Sequence, residues 1–154
     1  MAGAFTLISK IDDREIVKAL DRLHAKASRL APAFKNIGEV LLRSTQDRFS
    51  NQADPDGRPW QSLKASTIAS KAKRGHSDKI LRQRGYLGDS IRYRANEGGM
   101  RIGTNRIYGA LHQFGGKAGR GRKVNIPARP FLGISQQDRE RILEVVSDHL
   151  RMKT

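Results

Sequence analysis

Cysteine is absent from all 154 residues, which removes both a disulfide framework and any thiolate metal site. Acidic residues are scarce as well: 15 Asp and Glu stand against 30 Lys and Arg, a formal net charge of +15. No stretch approaches the roughly 20 apolar residues that a membrane-spanning helix requires. The opening MAGAFTLISKIDD has too short an apolar run, and no basic leading region, for a secretion signal. A soluble protein made in a reducing cytoplasm is therefore expected, one that leaves the cell only as part of something larger. Hydrophobic residues make up 37% of the chain and there is one tryptophan. The length fits a single domain over residues 1–154 with a lean core, so burial against neighbouring subunits is expected.

Catalytic constellations are missing too. His24, His76, His112 and His149 are scattered, and none pairs with another histidine or a carboxylate at metal-ligand spacing. His112 sits inside a patterned segment, but no nucleophile, carboxylate partner or phosphate cradle accompanies it in sequence. The glycine-rich GGKAGRG lacks the spacing and the final GK[ST] of a phosphate-binding loop. No cofactor and no enzymatic role are expected.

The patterns that are present predict an α+β fold: a long N-terminal helical region and a C-terminal helix packed on a small antiparallel sheet, with a long irregular basic loop. Phe5 to Ile8 could form an edge strand. Asp12 and Glu15 resemble a capping box opening a helix whose stripe is Ile16, Leu20, Leu23, Ala27 and Leu30. Pro32 either ends that helix or kinks it, and Phe34, Ile37, Leu41 and Phe49 continue an apolar stripe. Residues 51–88 hold dense turn signals and a short basic helical stretch over 66–74; a loop of this length is expected to become ordered on assembly. Ile91, Tyr93 and Ala95 alternate with arginines, as do Met100 and Ile102, which predicts a hairpin turning at residues 96–99. Ser135 and Asp138 cap a last helix carrying Ile142, Val146 and Leu150.

The charge is clustered. Between Arg58 and Arg94 ten Lys or Arg residues face only Asp78 and Asp89. Lys71, Lys73 and Arg74 crowd the basic helix, and Arg92, Arg94 and Arg101 share the exposed face of the hairpin. Lys117, Arg120, Arg122 and Lys123 lie in a glycine-rich run with the composition of a flexible loop. These ten cations are the candidates to face a polyanion, whether DNA or an acidic protein surface, or they simply keep a small protein solvated.

Two phrases stand out from this background, YGALHQFGG at residues 108–116 and IPARPFLG at residues 126–133. Pro127 and Pro130 fix φ and remove two donors, so Arg129 and Phe131 must be presented from extended or turn backbone. Both phrases read as turns whose aromatic anchors meet either the core or a neighbouring subunit. Trp60, directly after the turn DPDGRP, has the same two readings, a loop anchor or an interface residue. Trp60, Tyr108, His112, Phe114, Arg129, Pro130 and Phe131 are thus the candidate structural or interface residues.

In order along the chain, PDGRPWQSL, TIASKAKR, ILRQRGYLGDSI, YGALHQFGG and IPARPFLG resemble the phage virion morphogenesis family, also called tail completion proteins. The resemblance implies a structural protein of the bacteriophage tail or neck that acts in tail completion and head–tail joining. On that reading a ring-forming homo-oligomer is expected, in contact with other tail or connector proteins, with the basic loops either ordering against neighbours or facing the DNA that passes through the neck, no membrane, and a place in the virion after assembly in the host cytoplasm. The alternative on composition alone is a stand-alone nucleic-acid-binding module using the basic loops and the arginine-rich hairpin, although aromatic residues are sparse for a stacking platform.

Overall fold

A computed structural model describes residues 13–82 and 84–152. Its first helix, α1 (Arg14–Lys26), begins one residue later than the spacing Asp12/Glu15 suggested. Asp13 is the N-cap, and its Oδ1 accepts from the backbone N–H groups of Glu15 and Ile16. Desolvation raises the Asp13 pKa, but those two bonds and the Arg139 guanidinium outweigh it, and the carboxyl is held below its ordinary value. The edge strand expected at Phe5 to Ile8 lies outside the described residues.

Pro32 separates two helices rather than kinking one. It stands in the first turn of α2 (Ala31–Asn51), where a missing N–H costs nothing. Leu30, the N-cap of α2, has no side chain that could cap; its N–H is taken instead by Glu97 Oε2, 2.6 Å away, from the turn of the hairpin. α2 ends at Gln52 in the left-handed conformation, and Gln52 then receives Trp60 N–H on its carbonyl and Ile80 N–H on its side chain. The basic stretch forms α3 (Ala65–Lys73), and a single turn, α4 (Tyr86–Asp89), follows the glycine at 85.

The hairpin is β1 (Arg92–Asn96) and β2 (Gly99–Gly103), antiparallel, with Tyr93 opposite Ile102 and Arg94 opposite Arg101. Its inner face packs on α2. Gly38 makes that possible: a Cβ there would lie 2.3 Å from the Tyr93 ring, whose hydroxyl donates to Glu39 Oε1. Two features differ from expectation. Residues 108–116 are not a turn but contain a short helix, α5 (Gly109–Phe114). The supposed flexible run forms a second ribbon, β3 (Gly116–Ala118) against β4 (Val124–Ile126), closed by a single tight helical turn at Arg120–Arg122. Backbone pairing supplies the order that glycine-rich composition does not signal. The last helix, α6 (Gln136–Arg151), opens with the reciprocal Ser135/Asp138 capping box as the spacing required.

Two hydrophobic clusters result. The first joins α1, α2 and α6 through Leu23, Phe34, Ile37, Leu41, Ile142 and Val146. The second, at the far end of α2, gathers Phe49, Trp60, Ile80, Leu87, Ile91 and Phe131. Arg48 stands between them and is almost completely buried. Its Nη2 donates to Asp138 Oδ2 at 2.5 Å and to Ser44 Oγ, and its Nη1 donates to the carbonyls of Phe131 and Gly133, both at 3.0 Å. Asp138→Ala strands a buried guanidinium and removes half of a capping box. A loss of about 3–5 kcal/mol is expected in denaturant unfolding; a change under about 1 kcal/mol would show that the pair does not hold the two clusters together.

Candidate functional site

The two glycine-bounded phrases meet in space and are tied by one side chain. Gln113, on α5, accepts the backbone N–H groups of Phe131 and Leu132 on Oε1 and donates Nε2 to Leu132 O. Arg129 N–H adds a bond to His112 O at 2.7 Å. Gly115 lets the strands of backbone close: φ is +73°, and a Cβ would lie 2.8 Å from Ala128 N and 2.9 Å from Ile126 O. A side chain at 115 has nowhere to go.

Each candidate from the sequence finds a definite place. Phe131 is fully buried, with its ring 5.3 Å from Phe49. Trp60 is buried edge-on against the same Phe49, and its indole N–H donates to Pro130 O at 2.7 Å. Both side chains pack inside the second hydrophobic cluster. Arg129 is a buried strut: Nε donates to Gln61 O and Nη2 to Ser62 O, so the IPARPFLG loop grips the tryptophan turn. Tyr108 and Phe114 do not enter the core. Phe114 is 64% exposed at the end of α5, Ile107 before the helix is 63% exposed, and Tyr108 turns its edge toward His112.

Beside this junction lies a cleft of about 600 Å³ walled by α3, by Leu81, Arg82, Arg84, Tyr86 and Leu87, and by α5 and β4. Its apolar lining comes from Leu63, Leu81, Leu87, Val124, Ile126 and Pro127; its charged lining is Lys64, Lys71, Arg82, Arg84 and Arg129. Among the described residues no aspartate or glutamate lines it. Burial lowers the pKa of Lys71, with Asp78 pulling back and Arg129 adding to the fall; burial lowers that of Arg129 as well. His112 closes one side. Its Nδ1 is buried without a hydrogen-bond partner, and burial together with the Arg129 charge pushes the imidazole pKa below 6.5.

The ten candidate cations are carried on α3, the hairpin and the second ribbon. Lys71 reaches the cleft and donates Nζ to Lys79 O, whereas Lys73 and Arg74 stay exposed at the end of α3. Arg94 and Arg101 are directly paired across the exposed hairpin face, and Arg92 folds back to donate to the carbonyls of Asp89 and Ile91. Lys117, Arg120, Arg122 and Lys123 are exposed on the second ribbon. Sequence reasoning did not single out Lys64, Arg82 or Arg84 for the cleft, nor Gln113 as the clasp; nothing local distinguishes them from solvated side chains. Among the described residues no group of three or more His, Cys, Asp or Glu converges as a metal site.

Residues 11–151 match the phage virion morphogenesis family. The chain belongs to that family. It is similar to the Mu-like prophage FluMu G protein 2 of Haemophilus influenzae, with 36% identity over 140 residues covering 90% of this chain and 91% of the relative. It is also similar to protein G of Escherichia phage Mu, 32% identical with 88% of each chain covered. A third relative is tail completion protein S of Escherichia phage P2, 29% identical over 84% of this chain and 93% of that one. No solved structure matches the chain.

The His112 environment sets a pH dependence. A folded-state pKa below the unfolded one means that the unfolded chain binds more protons, so this contribution to stability is complete above pH 6.5 and is lost as pH falls toward the folded value. His112→Gln should therefore show a smaller drop in thermal midpoint than the parent between pH 7 and pH 5.5. Parallel curves would mean that the imidazole titrates as it would in water.

Proposed function

We propose that this protein is a structural subunit of a bacteriophage tail or neck, acting in tail completion and head–tail joining as a member of a ring. Membership of the phage virion morphogenesis family and the likeness to tail completion protein S of phage P2 support a structural role. The observation that carries the reading to this chain's surface is the exposure of Ile107, Tyr108 and Phe114 around a junction that is itself pinned by Gln113, Arg129 and Gly115. Apolar side chains held on a rigid mount beside charge are what an assembly contact requires, because little conformational entropy remains to be lost on docking. A ring closes when one patch meets a different patch of the next copy.

In that setting the cationic hairpin face and the ribbon loop meet neighbouring acidic surfaces or the DNA path. Among the described residues no helix is long and apolar enough to cross a membrane. The stand-alone nucleic-acid module has less support: the ten cations are divided among α3, the hairpin and the ribbon, and among the described residues the exposed aromatics are Tyr86, Tyr108 and Phe114, none of them on the hairpin that carries the paired arginines.

Deleting the coding region from the phage, followed by electron microscopy, is expected to leave heads and tails unjoined or tails unfinished; normal infectious virions would overturn the reading. Phe114→Asp should keep the thermal midpoint within the range of an ordinary surface change, about 0.5 kcal/mol in stability. The same variant should reduce infectious titre at least tenfold in complementation of the deletion. Full complementation would remove Phe114 from the contact.

A further inference from the structure

We infer that the cleft between α3, α5 and β4 is a docking site for an extended acidic segment of another protein, one that alternates carboxylate and aliphatic side chains. The inference deepens the assembly role proposed above and rests on it for the partner's origin, though not for the chemistry of the cleft. Among the described residues five cations and no carboxylate line one concave space, and aliphatic side chains line it with them. Lys64, Arg82 and Arg84 are exposed and carry no side-chain hydrogen bond or ion pair among the described residues, so no described carboxylate pairs with their charge. Cations of one sign gathered along a concave, partly apolar surface, with Lys71 and Arg129 among them partly withdrawn from water, focus a field that an incoming anion relieves.

His112 adds a directed group. With Nδ1 buried and unpartnered, the tautomer that avoids a stranded N–H there places the proton on Nε2. Nε2 is then a donor left for an outside acceptor, and a carboxylate suits it. The aliphatic lining favours a peptide over a nucleic acid. Phosphates are met by the cations alone and gain nothing from an aliphatic lining. Of the two tyrosines that line the cleft, Tyr86 has Arg106 over one ring face and Tyr108 meets His112 at a steep angle, which leaves few ring faces for a run of stacked bases. A second copy of this chain is a poor occupant, since both carry a net charge of +15.

The test uses the full-length protein and a fluorescein-labelled peptide of alternating Asp or Glu and Leu. Its comparisons are the same peptide with Asn and Gln in place of the acids and a twelve-nucleotide thymidine strand. The acidic peptide should bind by anisotropy, perturb the backbone amide signals of Thr67, Leu87, His112 and Val124, and lose at least tenfold in affinity in Lys64→Gln/Arg82→Gln/Arg84→Gln. A control removing three charges elsewhere, Arg94→Gln/Arg101→Gln/Arg120→Gln, should change affinity less than threefold. Equal loss in both variants would reduce the effect to net charge and overturn the docking site. So would equal binding of the uncharged peptide, an absence of amide changes around the cleft, or preferential occupation of the cleft by the oligonucleotide. Thermal midpoints of both variants establish that they are folded. Because binding is read on the isolated protein and particle completion is read in the phage, a defect in one assay does not imply a defect in the other.

Discussion

One buried charge pair organises this molecule. Arg48 projects from the last turns of α2 into the space between two hydrophobic clusters, where an unanswered guanidinium would be intolerable. It is tolerated because four acceptors converge on it: Asp138, Ser44 and the carbonyls of Phe131 and Gly133. Burial lowers the pKa of the arginine while the Asp138 charge works against that fall. Asp138 is at the same time the third residue of the α6 capping box, accepting from Ser135 N–H. The end of one helix, the start of another and the turn between Phe131 and Gly133 are therefore located by a single pair of side chains. Geometry, more than net stabilisation, is what such a pair supplies.

The consequences run outward to the surface. Once Phe131 is fixed, its neighbour Pro130 presents a carbonyl to Trp60, and Arg129 reaches the carbonyls of the tryptophan turn. Gln113 then secures α5 to the same loop. Tyr108, His112 and Phe114 are thus carried on a helix whose position is set by bonds to a buried loop, so short an element needing that support to exist at all. The positive charge divides accordingly. Arg48 and Arg129 work inside the fold, whereas the hairpin, the ribbon and the cleft display the cations that remain available to other molecules.

Much of this architecture was legible. The hairpin register, the basic helix of residues 65–73 and the last helix with its capping box followed from alternation, helical spacing and cap chemistry, which act locally. The cap of α1 was misplaced by one residue because Asp12 and Asp13 are adjacent and only contact with Arg139 and two backbone amides selects the second. The ribbon β3/β4 was hidden because glycine-rich composition indicates freedom, while cross-strand pairing is a property of two segments taken together. The short helix in YGALHQFGG was hidden for a related reason: its anchor, Gln113, bonds to residues almost twenty positions away. Arg48 did leave a signal. It falls on the stripe of Phe34, Ile37, Leu41 and Thr45 at helical spacing, where an arginine must be either misread as surface or satisfied inside.

The electrostatics bear on when such a subunit would assemble. Copies carrying +15 repel one another at a distance, and the exposed apolar residues of α5 offer only a small contact to set against that repulsion. An acidic segment seated in the cleft would neutralise charge beside those residues, leaving their apolar surface to act at shorter range. Ring closure would then depend on the partner's arrival and not on concentration of this chain alone. If the chain assembles as proposed, the sharing of Tyr108 and His112 between the cleft lining and the α5 segment would couple the two events.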